Sequence, residues 1–388
     1  MSYSFIQTPA TFSLAQSPTI FAVSSSTLTG QNNFQYVGLL SIWTGSQSAS
    51  GSGEVWTLAK YPSTNGRTGI FDVSRILNST QTTLTQTNIS PVSYYKMESF
   101  YRYQSGSTYI TGSHIFSDPY KAIDGYQLFP ETIGSNVYTT CPHWPIMTDG
   151  PATQSVFIDN IGNGAVYTGV TGANVPTKIV YTNQSNVTAS FAVSASSGNT
   201  NDEVKSFPLS PAESGFPLST AGLTKYSVQA YSGNTPLGTK LEYSITCQQK
   251  YPNIRIKWKN RYGEFDYMNF DMINRKSISS TKRTYQPQLG TWQGTTLSYN
   301  EYDSQTLNYI VDSKQNILCN TNWLDEGWNE VLKQLLVSNE IYWCLENTTA
   351  VKPLTIVSNN IQFRTGVNDH LIQYSFEFAY GQGYKLII

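Results

Sequence analysis

The sequence predicts a mostly β chain: antiparallel, immunoglobulin-like β-sandwich domains, with one amphipathic helix packed on a sheet near the C-terminus. Three observations predict it. Apolar and polar residues alternate with period 2 in many short runs, turn-forming residues separate the runs, and only one stretch carries a long helical stripe. Period-2 alternation means a strand with one face buried and the other wet. The cleanest case is "LEYSITCQQ", with Leu241, Tyr243, Ile245 and Cys247 on one face and Glu242, Ser244, Thr246 and Gln248 on the other.

Taken in chain order, the elements fall into three regions. Residues 1–150 read as an N-terminal β-domain, with Tyr95, Met97, Tyr101 and Tyr103 on one face of "YYKMESFYRY" and a short helix within 71–79. Residues 151–250 read as the immunoglobulin-like sandwich. Their short strands include "NVTASFAVSA", "KYSVQAY" and "LEYSITCQQ", interrupted by a polar, proline-containing loop near 195–222. Residues 251–388 read as a β-rich domain. The strand "IRIKW", a tight turn at Asn260–Gly263 and the strand "EFDYMNF" precede a helix near 322–338. Asn322 is its expected N-cap, with Asp325 three positions on and Glu326 beside it at the positive end of the dipole. Trp323, Leu324, Trp328, Val331, Leu332, Leu335 and Leu336 form its apolar stripe. The strands "EIYWCLE", "PLTIVS" and "LIQYSFEFAYG" follow.

Composition narrows the function classes. Charged residues are only 13% of the chain, against about a quarter in ordinary globular proteins. Polarity comes instead from Asn, Ser, Thr, Gln and the 27 Tyr. Such a composition suits virion parts and adhesins. A net charge of −1 argues against a polyanion binder. Residues 1–59 contain a single charge, Glu54, so no basic signal region is expected, and no apolar run is long enough to span a membrane. The four cysteines, Cys141, Cys247, Cys319 and Cys344, are far apart and form no CxxC pair. Cys247 is expected as a reduced core residue. Only three histidines occur, and no nucleophile elbow, P-loop, zincin or dinucleotide motif is present. No catalytic residue, metal or cofactor is therefore expected, although two suitably placed carboxylates would suffice for a glycan-cleaving enzyme.

The strongest local anomaly is a concentration of basic residues between 254 and 292: Arg255, Lys257, Lys259, Arg261, Arg275, Lys276, Lys282 and Arg283, interleaved with aromatic residues. "NRYGEFDYMNF" is similar to the aromatic-glycine strand of RNA-recognition motifs, but that fold needs two helices and no helical pattern flanks it. The expectation is therefore structural. Arg255, Lys257 and Lys259 should line the wet face of a strand whose other face is Ile254, Ile256 and Trp258. Arg275, Lys276, Lys282 and Arg283 should face solvent or pair with acids of a partner subunit. No specific nucleic acid is expected.

The order "YSITCQQKYPNIRIKWKNRYGEFDYMNF…KRTYQPQLGTW" resembles structural proteins of tailed bacteriophages of Bacteroidetes-type hosts, including crAss-like phages. The matching residues are Cys247, Lys250, Tyr251, Asn260, Arg261, Tyr262, Gly263, Phe265, Phe270 and Tyr285, over roughly residues 225–388. The resemblance implies a non-enzymatic virion component of the tail, neck or capsid surface, assembled with copies of itself or other virion proteins. The alternative is a receptor- or glycan-binding adhesin module, with a host-surface glycan or receptor as its partner. Residues 1–24, which carry no charged side chain, offer Phe5, Ile6, Phe12, Leu14, Ile20 and Phe21 as anchors, interrupted by Pro9 and Pro18. They are expected either as an arm that docks on an adjacent subunit, through Phe5, Phe12 and Phe21 above all, or as an edge strand of their own domain.

Overall fold

The structure, a computed structural model, describes residues 3–25, 30–44, 53–63, 67–80, 92–127, 136–137, 140–169, 174–193, 204–246, 251–345, 348, 350–358, 360–364 and 372–387. It is mostly β, built of several sheets with two short helices among the described residues. Where the sequence suggests three regions, the chain divides into two compact units. The first comprises Met1–Cys247 and Lys259–Asp266, the second Gln248–Trp258 and Tyr267–Ile388.

The first unit holds two sheets in its N-terminal part. In one, Ser4–Gln7, Ile20–Ser24 and Thr68–Asp72 pair antiparallel. The other runs Phe12–Leu14, Tyr120–Ile123, Ser93–Ser105, Gln35–Thr44, Glu54–Lys60. A core of Phe21, Tyr36, Leu40, Phe71, Tyr95 and Met97 lies between these elements, closed by Leu77 of the helix α1 (Ser74–Thr80). Tyr101 and Tyr103 pack on it as the alternation requires.

This arrangement corrects the reading of residues 1–24 as a lent arm. Phe12 is fully buried and stacks on Tyr167 with ring centroids 4.4 Å apart. Phe21 is fully buried, and Phe5 packs against it. Residues whose rings fill their own core cannot also anchor a neighbour. The lack of charge reflects burial at home: uncharged side chains enter a core without a desolvation penalty.

Residues 151–250 contribute a sandwich with its own core. One sheet has the order Thr153–Val156, Thr235–Ile245, Lys225–Ser232, Lys178–Asn183, Thr188–Ala192; the other pairs Asn163–Tyr167 with Val204–Pro208. Val166 and Phe207 of the small sheet meet Ile179, Tyr181, Val228 and Leu241 of the large one. The sheets are not wholly antiparallel: Thr153–Val156 runs parallel to Thr235–Ile245, and Phe12–Leu14 runs parallel to Tyr120–Ile123. Part of the loop expected near 195–222 and the expected core residue Cys247 lie outside the described residues.

The second unit is an eight-stranded sheet with the helix α2 (Trp328–Val337) on it. Trp328, Val331, Leu332 and Leu335 pack on Ile256, Trp258, Phe270, Ile317, Phe376 and Phe378. The helix is shorter than expected. It begins at an N-cap Gly327 without a side-chain cap, so Asn322 is not its N-cap. Trp323 is 53% exposed and lies before the helix. Leu324 instead makes a β-bridge to Ile372, and the chain turns at Glu326 and Gly327 into the helix.

Candidate interaction surface

The basic stretch splits into two parts with opposite fates. The strand Ile254–Lys259 is buried on both faces, so Arg255, Lys257 and Lys259 do not line a wet face, contrary to the alternation pattern. Period 2 separates two faces but does not say that the second is solvated; a charged residue can be buried once its charge is matched. Arg255 lies over the Tyr267 ring at 4.8 Å and donates to Asn269 Oδ1 at 3.2 Å. The Lys257 ammonium stands 5.5 Å from the Tyr342 ring. Lys259 forms an ion pair with Asp124, both side chains nearly fully buried.

The turn that follows explains the Asn-Arg-aromatic-Gly motif residue by residue. Asn260 Oδ1 accepts from the amides of Tyr262 and Glu264 at 3.0 Å each, and its Nδ2 donates to the Met147 carbonyl at 3.0 Å. Arg261 pairs with Asp149 and donates to the Thr140 carbonyl at 2.8 Å. The Tyr262 hydroxyl lies 2.8 Å from both the Thr140 carbonyl and Asp149 Oδ1, and its ring belongs to the core. Gly263 has φ +80°, and a Cβ there would lie 2.2 Å from the Asp124 carbonyl oxygen, so only glycine fits. Every motif residue is used inside the first unit, and the motif is architectural.

Glu264 and Asp266 complete this buried cluster. Desolvation raises both carboxyls, Glu264 well above its usual range and Asp266 to about 7. Lys259 opposes the shift at Glu264, and a hydrogen bond from Thr148 Oγ1 at 2.6 Å opposes it at Asp266. In the unfolded chain both groups titrate near pH 4. For Asp266 the contribution to stability is therefore full below about pH 4 and is lost as pH rises through about 7, and the upward shift of Glu264 acts in the same direction. The first unit is expected to melt at a higher temperature at about pH 5.5 than at about pH 8. Asp266→Asn should flatten that slope, as followed by thermal denaturation across the window.

The second half of the basic stretch lies on the surface. Arg275–Tyr285 pairs antiparallel with Leu307–Asn320, from Arg275 opposite Leu318 to Tyr285 opposite Leu307. The Leu307–Asn320 strand has further partners, Ser375–Tyr380 at Asn316–Asn320 and Tyr384–Ile387 at Ile310–Ser313. Among the described residues the ribbon is two strands wide beyond Arg283 and Ile310. Among the described residues, Arg275–Tyr285 is the last strand of its sheet.

From Arg275 to Tyr309 every residue except Pro287 and Gly290 is exposed. The ribbon ends in a small hairpin, Thr291–Gln293 with Thr296–Ser298, whose two-residue loop opens with Gly294 at φ +69°. A turn then runs Asn300–Asp303, closed by Asp303 N donating to the Asn300 carbonyl at 3.0 Å. The ribbon displays Ile278, Tyr285, Trp292, Leu297, Tyr299 and Tyr302, the last 85% exposed. Arg275, Lys276, Lys282 and Arg283 are exposed on its outer strand, which agrees with the expected solvent-facing placement. Between Thr284 and Asn308 the only charges are Glu301 and Asp303. The sequence showed the basic residues but not the ribbon: extended polar segments with scattered aromatic residues have the same local pattern whether or not a second layer covers them.

Among the described residues no group of three or more His, Cys, Asp or Glu is placed to hold a metal ion, and no helix is long and apolar enough to cross a membrane. Cys141 and Cys319 are buried thiols, pushed up to about 12 by desolvation, and His143 Nε2 lies 2.7 Å from the Gly150 carbonyl. No family model matches the chain, and no curated protein sequence matches it. Fold and surface define a mostly β chain of two compact units, the second of which carries an exposed β-ribbon tipped with aromatic residues.

Proposed function

We propose that this chain is a non-enzymatic structural protein of a tailed-phage virion, placed in the tail, neck or capsid surface, and that it assembles with copies of itself or other virion proteins through the ribbon of residues 275–320. The exposed ribbon carries this reading. A two-stranded hairpin is marginally stable in water by itself, and a surface that displays Trp292, Tyr299 and Tyr302 together has the aromatic anchors of an interface core. Arg275, Lys276, Lys282 and Arg283 on the edge strand disfavour uncontrolled strand pairing and suit an acidic partner. The sandwich supports a modular virion protein. Its five-stranded order, its parallel first strand and the Tyr226 hydroxyl bonded to the Leu209 carbonyl at 2.9 Å, near the start of its strand, accord with an immunoglobulin-like module.

Replacing residues 286–306 by Asn-Gly tests the proposal. The shortened chain is expected to melt within about 2 °C of the full chain, since the excised residues bury almost nothing. It should fail to self-associate in sedimentation velocity and fail to enter particles. The tip also favours a second reading, a glycan platform, because its aromatic rings stand among uncharged amide and hydroxyl side chains. That reading predicts that the isolated full chain binds glycans on an array and that the shortened one does not, with no change in mass.

A further inference from the structure

The second unit also contains a receptor for that tip, and the geometry points to a second copy of the chain as its occupant: Tyr302 of one copy seats in a cleft of another, with Glu301 and Asp303 held by Lys276 and Lys352. This inference rests on the assembly reading above and identifies the partner.

The cleft has a volume of about 580 Å³ and is walled by Tyr251, Ile254, Ile273, Trp343 and Leu345, with Asn274 and Lys276 at its polar side. Its lining is mostly apolar, and it has room for an aromatic side chain together with neighbouring residues of the same segment. Lys276 lines it, with Nζ 5.2 Å from the Trp343 ring, and Lys352, opposite Trp343 on the neighbouring strand, brings a second ammonium to 5.4 Å from the same ring. An apolar hole with one lysine in its wall and a second against its tryptophan calls for an apolar anchor carrying carboxylates.

The ribbon tip presents that chemistry. Glu301 and Tyr302 occupy the two central positions of the Asn300–Asp303 turn, and Asp303 Oδ2 accepts from the Asn300 amide at 3.1 Å, which fixes the turn. Glu301 and Asp303 are the only charges on the distal ribbon, and both are opposite in sign to the lysines. The chain's own tip cannot reach its own cleft. Lys276 stands at the cleft and Tyr285 at the far end of the same strand, nine residues further on and about 30 Å away at the rise of an extended strand. The occupant must come from another copy. Each copy offers one tip and one cleft, so the contact either closes reciprocally between two copies or propagates head to tail.

The test uses a fluorescein-labelled synthetic peptide of residues 296–305 and the full chain carrying Tyr302→Ala, which leaves the cleft intact and unoccupied by tips. The peptide is expected to bind with an affinity that falls as salt rises. Trp343→Ala, or Lys276→Glu with Lys352→Glu, should weaken it about tenfold or more. A peptide with both Glu301→Lys and Asp303→Lys should lose binding to the Tyr302→Ala chain and regain it on the chain with both glutamates. Circular dichroism controls for folding, and the regained binding by itself excludes an unfolded variant. Absence of peptide binding, or binding indifferent to the cleft substitutions, overturns the inference. In sedimentation, a chain that self-associates as well with Tyr302→Ala as without it overturns the inference and leaves ribbon assembly standing. A chain that still self-associates without residues 286–306 overturns both.

Discussion

Trp328→Ala is expected to destabilise the second unit by about 3–5 kcal/mol, the loss typical of truncating a buried aromatic side chain. Trp328 opens α2 and is 8% exposed, with its ring in the core formed with Val331, Leu332 and Leu335 and the sheet. Alanine there leaves a cavity between helix and sheet that rigid strands close only in part. Urea denaturation should show the loss in the transition of the second unit. Trp323→Ala is the matched control: a half-exposed ring outside the helix should cost less than about 1 kcal/mol. A loss below about 1 kcal/mol for Trp328→Ala would show that the helix does not seal this core.

The second large effect is expected at Lys259, in the first unit. Its ammonium pairs with Asp124 where both side chains are shielded from water, and Glu264 is buried nearby and held partly in check by the same positive charge. Lys259→Met keeps much of the volume and removes the charge, leaving Asp124 buried without its cation. Breaking a buried ion pair in this way costs about 3–5 kcal/mol. Asp124→Asn in the Lys259→Met background should recover part of the loss, because the uncompensated charge is then gone while the oxygen that accepts from Gln16 Nε2 remains. Thermal or chemical denaturation of the two variants decides the matter. A double variant no more stable than the single one would mean that the pair contributes packing and not charge compensation.

These two residues mark how far the sequence could be read. The core side of the alternating strands was legible: Leu241 and Tyr243 are buried with Glu242 exposed between them, and Ile254, Ile256 and Trp258 are buried as their spacing requires. The stripe of Trp328, Val331, Leu332 and Leu335 was legible for the same reason, since a 3.6-residue period has one apolar face to hide. The opposite face of "IRIKWK" was misread, because the partners of Arg255, Lys257 and Lys259 come from Tyr267, Tyr342 and Asp124, which lie on other segments of the chain. Residues 1–24 failed as an arm on the same ground. Their lack of charge indicated that something covers them, and only the pairing of Ser4–Gln7 with Ile20–Ser24 and of Phe12–Leu14 with Tyr120–Ile123 showed that the cover is their own unit.

By itself the sequence determined the class of fold, the placement of the strands with the clearest alternation and the one substantial helix, because backbone periodicity acts over a few neighbouring residues. It also determined that residues 254–292 carry a concentration of basic charge. Only the tertiary structure decided which of those charges are buried and which lie on an exposed ribbon. Burial of a charge depends on a counter-charge or ring arriving from a distant segment, and exposure of a ribbon depends on no second layer covering it. Neither condition is written in local spacing, and the difference between them separates the architectural turn at Asn260–Gly263 from the surface that carries the proposed assembly contact.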